Sequence, residues 1–182
     1  VLDVESLTSP GVFHDISFTV RSGEIVGLAG LVGAGRSEIA RAVFGVDGYE
    51  EGTVTLGGVR LRRGDPAGSI RAGMAFIPED RRQQGLVTDA SVAHNIAGVI
   101  RTRLARFGLI TQGAENAAAG TWAARLEVKT GALDMLARTM SGGNQQKVVV
   151  GRWLDSGRRL LVTEDPTAGV DVGAKAEIYH LL

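Results

Sequence analysis

Residues 24–37 read EIVGLAGLVGAGRS, and the fold turns on this stretch. The first six residues, EIVGLA, are a continuous apolar run of the kind that forms a strand buried on both faces. Gly30-Leu31-Val32-Gly33-Ala34-Gly35-Arg36-Ser37 follows at once, and the next segment, SEIARAVFG, has helical spacing and stops at Gly45. Strand, glycine turn and helix in that order match the phosphate-loop pattern GxxxxGK(S/T), with arginine at the lysine position. Backbone N–H groups can wrap a phosphate only where side chains do not intervene, and a helix N-terminus adds the positive end of its dipole. Gly30, Gly33 and Gly35 supply that freedom, and Ser37 places a hydroxyl for Mg²⁺. Arg36 keeps the positive charge but presents a broad planar fork where a compact ammonium normally reaches between phosphates. Taken alone, the segment also fits a glycine-rich turn of some other α/β protein.

Working outward, VLDVESL, HDISFTV and GTVTLGGVRL read as strands, with Gly57-Gly58 as a hairpin turn. MAFIP, ending at Pro78, and LLVT, ending at Thr163, are two more buried strands. Apolar strands separated by helical segments predict an α/β fold with a largely parallel core sheet and a flanking antiparallel layer. Residues 89–139 turn alanine-rich and helical, which predicts an inserted helical lobe between core segments 1–88 and 140–182.

Two further segments carry chemistry. Leu160-Leu161-Val162-Thr163-Glu164-Asp165-Pro166 sets two carboxylates at a strand end, as a nucleotidase needs for Mg²⁺ and for the attacking water. The order is reversed from the usual Asp-Glu, so each carboxylate is displaced by a methylene, roughly 1 Å, and misplacement of that size can cost ~100-fold in rate. Met140-Ser141-Gly142-Gly143-Asn144-Gln145-Gln146-Lys147 precedes a helix, with Ser141 as N-cap and the glycines leaving its first N–H groups uncovered. A solvated acidic turn and a plain N-cap are the simpler readings of these segments in isolation.

Composition narrows the rest. The 182 residues carry Lys+Arg 20 and Asp+Glu 20, a net charge of zero that gives no global pull towards nucleic acid or an anionic membrane. Hydrophobic residues at 44% and charged residues at 22% predict a packed core. Zero cysteines exclude disulfides, thiolate metal sites and thiol catalysis. No apolar stretch approaches the ~20 residues of a spanning helix. The 26 glycines, about twice ordinary usage, suggest ligand loops built from backbone, and a chain opening on Val1 reads as a fragment.

In order along the chain, GLVGAGRSE, EDRRQQGLV, SGGNQQKVVVGRWL and DPTAGVDVGAKAEIY resemble the nucleotide-binding domain of ABC transporters. The likeness covers nearly the whole chain and is most specific to the C-terminal half of the tandem ATPases that power bacterial uptake of ribose, xylose or galactose. It implies a P-loop NTPase fold, ATP and Mg²⁺ as ligands, and one incomplete ATP-binding domain over residues 1–182. By position, residues 30–38, including Ala34 and Glu38, match the Walker A loop. Glu164 falls at the Walker B position, where it would help Ser37 hold Mg²⁺, and Asp165 at the catalytic carboxylate. Ser141, Gly142, Gly143 and Gln145 match the signature motif, and Asp171 lies in the D-loop. Glu79 stands where the family has the Q-loop glutamine but offers only acceptors and a charge. Residues 79–84 are the candidate segment for sensing a membrane partner.

The family pairs the Walker A of one half with the signature of the other. An intact SGGNQ beside altered Lys, Gln and Asp-Glu positions implies that this half completes a partner's hydrolytic site while holding ATP more than cleaving it at its own. Implied partners are a second nucleotide-binding half, transmembrane permease subunits and, indirectly, a sugar-binding protein, with no nucleic acid; the implied place is the cytoplasmic face of the inner membrane. A non-hydrolytic regulatory half and an ABC-type ATPase acting on DNA or ribosomes are the alternatives. Phe13 is a candidate for stacking on adenine or for packing. Trp122 and Trp153 read as packing residues, and His14, His94 and His180 lack metal spacing. A switch histidine is expected beyond Leu182, so the segment reads as lacking its last strands.

Overall fold

A computed structural model describes residues 1–105, 108–125, 128, 133–154 and 157–181. The chain divides into two compact units, Val1–Phe76 with Arg159–Val162, and Ile77–Arg158 with Thr163–Leu182.

In the first unit β1 (Leu2–Ser9), β2 (Phe13–Val20), β3 (Glu51–Leu56) and β4 (Val59–Arg60) form an antiparallel sheet in the order β2-β1-β3-β4. Leu2, Val4 and Leu7 of β1 and Val54 and Leu56 of β3 are buried, each worth about 1.5–3 kcal/mol of transfer free energy. The hairpin between β3 and β4 turns at Gly57 (φ 57) and Gly58 (φ 81), both in the left-handed region that a two-residue primed turn demands. Helix α1 (Arg36–Phe44) buries Ile39, Val43 and Phe44 and ends at Gly45, φ 91. Phe44 stacks on Phe76, ring centroids 5.0 Å apart. Helix α2 (Pro66–Ala72) begins with Asp65 accepting the Gly68 N–H at 2.8 Å and with proline at its first position.

Opposite Gly52, β1 bulges between Glu5 and Thr8. Gly52 has φ 91, and a methyl group there would run into the Glu5 and Ser6 carbonyl groups, 2.6 Å from the Ser6 carbonyl carbon. Gly52→Ala combines a strained backbone angle with a backbone clash, and its expected cost is about 2–3 kcal/mol. Urea unfolding monitored by circular dichroism measures it.

Strands β5 (Met74–Ile77) and β6 (Leu160–Thr163) form a second sheet. The Arg159 and Leu160 N–H groups donate to the Gly73 carbonyl and the Glu164 N–H to the Ile77 carbonyl, so the two strands advance together and are parallel.

The run EIVGLA departs from expectation. Residues 24–29 form no strand, and Ile25 is 98% exposed, with Val26 and Leu28 at 39% and 41%. Among the described residues no strand pairs with this backbone. An apolar run says that its residues suit burial, but a strand also needs a neighbour for its N–H and C=O groups.

The second unit is mainly helical: α3 (Val92–Ala97), α4 (Arg101–Leu104), α5 (Gln112–Arg125), α6 (Gly142–Leu154) and α7 (Val172–Leu181). Val92, Ala93, Ile96 and Ala97 of α3, Ala119 and Ala123 of α5 and Val148, Val149 and Val150 of α6 are buried, and the alanines let the helices approach closely. Residues 133–138 return beside 88–93, with the Val92 N–H on the Met135 carbonyl and the Ala137 N–H on the Ala90 carbonyl, both at 3.0 Å. Among the described residues no helix is long and apolar enough to cross a membrane.

Candidate nucleotide-binding site

The phosphate loop belongs to the first unit. Gly33 and Gly35 have φ 81 and 80, and the Ala34 N–H closes a turn on the Leu31 carbonyl at 3.1 Å. Gly35 is buried; a Cβ there would lie 3.0 Å from the Val12 carbonyl oxygen and 3.9 Å from the Phe13 Cβ, so glycine allows the helix to start against the β1–β2 turn. Gly35 also caps α1, whose N-terminus receives no side-chain acceptor. The first N–H groups, at Arg36, Ser37 and Glu38, therefore stand open at the positive end of the helix. A Cβ on Gly30 would stand 3.1 Å from that of Ala34 and 3.6 Å from the Arg36 Cδ, so the Arg36 stem folds back over the loop. Arg36 and Glu38 are exposed and Ser37 is half-buried. Phe13 is buried, so its ring serves packing.

The other candidate residues belong to the second unit. Glu164 is buried at the end of β6, and its Oε2 accepts the Glu79 N–H at 3.2 Å. Asp165 is exposed and has φ 29; its carbonyl accepts the Ala168 N–H at 3.0 Å and its carboxylate faces the hydroxyl of buried Thr167 at 3.5 Å. Asp171 opens α7, its carbonyl accepting the Lys175 N–H at 3.0 Å. The Ser141 Oγ accepts from the backbone N–H of Asn144 at 3.5 Å and from its side-chain amide at 3.1 Å, as expected of an N-cap. Gly142 and Gly143 follow, and buried Gln145 donates to the Ala137 carbonyl at 3.0 Å. Buried Lys147 of α6 pairs with Glu177 of α7.

Sequence reasoning missed three residues that tie this unit together. Arg81 donates from Nη1 to the Ala168 carbonyl at 2.8 Å and from Nη2 to the Gly169 carbonyl at 3.3 Å, beside Gly142. Buried Asn95 and half-buried Arg152 share two hydrogen bonds. Their signal in the sequence is no more than a polar loop, EDRRQQ, and single polar residues among the apolar ones of α3 and α6.

Open N–H groups behind left-handed glycines suit a phosphate. Among the described residues no cluster of three or more metal-ligating side chains occurs. Ser37 in the first unit and Glu164 in the second each offer an oxygen of the kind that Mg²⁺ accepts as a ligand.

A sequence model described as ABC transporter matches residues 13–168, most of the chain. The chain belongs to the ABC transporter family. Ribose import ATP-binding protein RbsA 2 of Streptomyces coelicolor is 52% identical over 182 residues, all of this chain and 35% of that protein. RbsA of Rhodococcus jostii is 47% identical and arabinose import ATP-binding protein AraG of Rhizobium johnstonii 46%, each matched over the whole of this chain and 36% of its own length. The chain thus spans about a third of the length of these family members. The dimeric post-hydrolysis structure of the ATP-binding cassette MJ0796, bound to ADP and Pi, superposes with a TM-score of 0.81 at 18% identity, covering 100% of this chain and 81% of that one. The ATP-binding cassette MJ1267 superposes at 0.77 with 21% identity, covering 100% and 75%. At those identities the likeness establishes the fold, the α/β P-loop NTPase architecture of ABC cassettes.

Proposed function

We propose that this chain is an ATP-binding segment of an importer for simple sugars, in which ATP binding and hydrolysis drive transport through permease subunits. The observation that carries the reading is the N-terminus of α1 behind two left-handed glycines, an anion cradle that no side chain caps. The ribose and arabinose import proteins it resembles support sugars as the cargo. Gly30, Gly33, Ala34 and Gly35 would wrap the phosphates, with Arg36, Ser37 and Glu38 at the helix start. Bound Mg²⁺ would neutralise phosphate charge, held by Ser37 and Glu164.

The same reading assigns Ser141, Gly142, Gly143, Gln145 and Asp171 to the face that completes the site of a second nucleotide-binding half. Residues 79–84 would meet the permease, residues 89–139 form the helical lobe, and the assembly would sit on the cytoplasmic face of the membrane, with a sugar-binding protein on the far side and no nucleic acid. Its own site would hold ATP more than cleave it: Arg36 replaces the compact lysine, Glu79 replaces a glutamine, and Glu164 and Asp165 reverse the usual pair. Glu164 also gives one oxygen to the Glu79 N–H.

The test uses the full-length protein assembled with its permease in membranes. Asp165→Asn is expected to keep at least half of the wild-type ATP turnover. A tenfold loss would show that this carboxylate cleaves ATP, and failure of the wild-type assembly to bind a fluorescent ATP analogue would overturn the whole reading.

A further inference from the structure

We propose that Arg81 is a positioning residue that sets the spacing between the signature turn and the D-loop. The inference rests on the function proposed above, but its geometry stands apart from it. Asp80 fixes the backbone around Arg81, its Oδ1 accepting the Arg82 N–H at 2.9 Å and the Gln83 N–H at 3.1 Å, and its carbonyl accepting the Gln84 N–H at 2.9 Å. From this anchored turn the guanidinium reaches the carbonyls of Ala168 and Gly169, 87 and 88 residues along the chain. Gly169 has φ 61 and lies two residues before Asp171. A Cβ on Gly142 would stand 2.6 Å from the Arg81 Nη2 and 3.2 Å from the Gly169 carbonyl oxygen, so the space a side chain would take is already filled. Arg82 repeats the link one residue on, its Nε 3.4 Å from the Gln145 Oε1 on α6.

Three segments distant in sequence thus meet at one planar fork: the turn after β5, the glycine start of α6 and the loop before α7. A guanidinium can address two neighbouring carbonyls at once from a fixed plane, whereas an ammonium acts as a point. Any shift of residues 79–84 moves the groups that hold Gly142 and Gly169. Arg81 donates to the Ala168 and Gly169 carbonyls, and it acts through the backbone it holds.

The prediction is a double-mutant cycle in the full-length, permease-bound protein, measuring ATP turnover, KM for ATP and thermal unfolding. Arg81→Met is expected to lower kcat at least tenfold with KM within twofold of wild type, and Arg81→Lys to recover part of that loss. Gly142→Ala is expected to fall similarly, because its methyl meets Nη2. The double variant Arg81→Met/Gly142→Ala should be no slower than Arg81→Met alone, since removing the guanidinium takes away the nearer of the two groups that the methyl meets. Multiplying losses in the double variant, a wild-type rate for Arg81→Met, or a loss that appears in KM would each overturn the proposal. A wild-type assembly without turnover would overturn the assigned function instead, and the same non-additivity would then be read from the unfolding midpoints of the four proteins.

Discussion

Ser141→Arg in the full-length, permease-bound protein is expected to remove most ATP turnover, by a factor of ~100. The side chain is exposed at the start of α6, where its hydroxyl meets Asn144. An anion brought by a partner half would be met by that hydroxyl and by the helix's first N–H groups. Arginine there fills the approach and withdraws the cap. The stability cost is that of a lost N-cap, about 1 kcal/mol, far too small to explain the lost turnover through unfolding. Unfolding midpoint and turnover measured on one preparation separate the two effects. Comparable losses from Ser141→Arg and Asp165→Asn would mean that both sites cleave ATP, contrary to the division of labour proposed here.

Asn95→Leu is expected to destabilise the protein by about 2–4 kcal/mol, because it strips partners from buried backbone groups and from a half-buried charge. Asn95 is 1% exposed. Its Oδ1 accepts the Val87 N–H at 2.8 Å and the Arg152 Nη2 at 3.0 Å, while its amide donates to the Val87 and Ser91 carbonyls at 2.9 and 3.0 Å. The Arg152 Nε donates to the Asn95 carbonyl at 2.9 Å. Burial pushes the Arg152 guanidinium down to about 10, which still leaves it charged at neutral pH. Leucine matches the volume but removes both functions of the amide, so the Val87 amide and carbonyl lose the partner they share and the guanidinium loses its side-chain acceptor. Arg152→Met should soften the effect of Asn95→Leu in the double variant, because the uncompensated charge is gone. Urea unfolding of the four proteins tests this; a shift under 1 kcal/mol for Asn95→Leu would show that the network carries little.

How far the sequence is legible follows from what each residue type encodes. Gly45, Gly57, Gly58 and Gly35 adopt the left-handed angles that their positions after helices and in turns imply, because glycine relieves a local constraint. The parallel pair MAFI and LLVT forms where apolar β-prone runs end at a proline or a polar pair. The run EIVGLA misleads because hydrophobicity reports a wish for cover and says nothing of the neighbour that supplies it. The acidic strand end, the serine-glycine turn and Glu79 are legible as positions, but the guanidinium between Gly142 and Gly169 is not. A polar stretch such as EDRRQQ looks solvated from its composition, and only the folded chain turns one of its arginines inward. Asn95 is hidden for the same reason: its side chain bonds the nearby backbone of Val87 and Ser91 and the distant Arg152 guanidinium, and no spacing rule announces them.

The backbone at Asp165 has a consequence of its own. At φ 29 it occupies a region that side-chain-bearing residues enter at a cost of order 1–3 kcal/mol, and asparagine tolerates it better than most. Glycine at this position would remove that cost. A carboxylate-bearing residue at such an angle costs the protein stability just where β6 gives way to the loop that leads to Asp171.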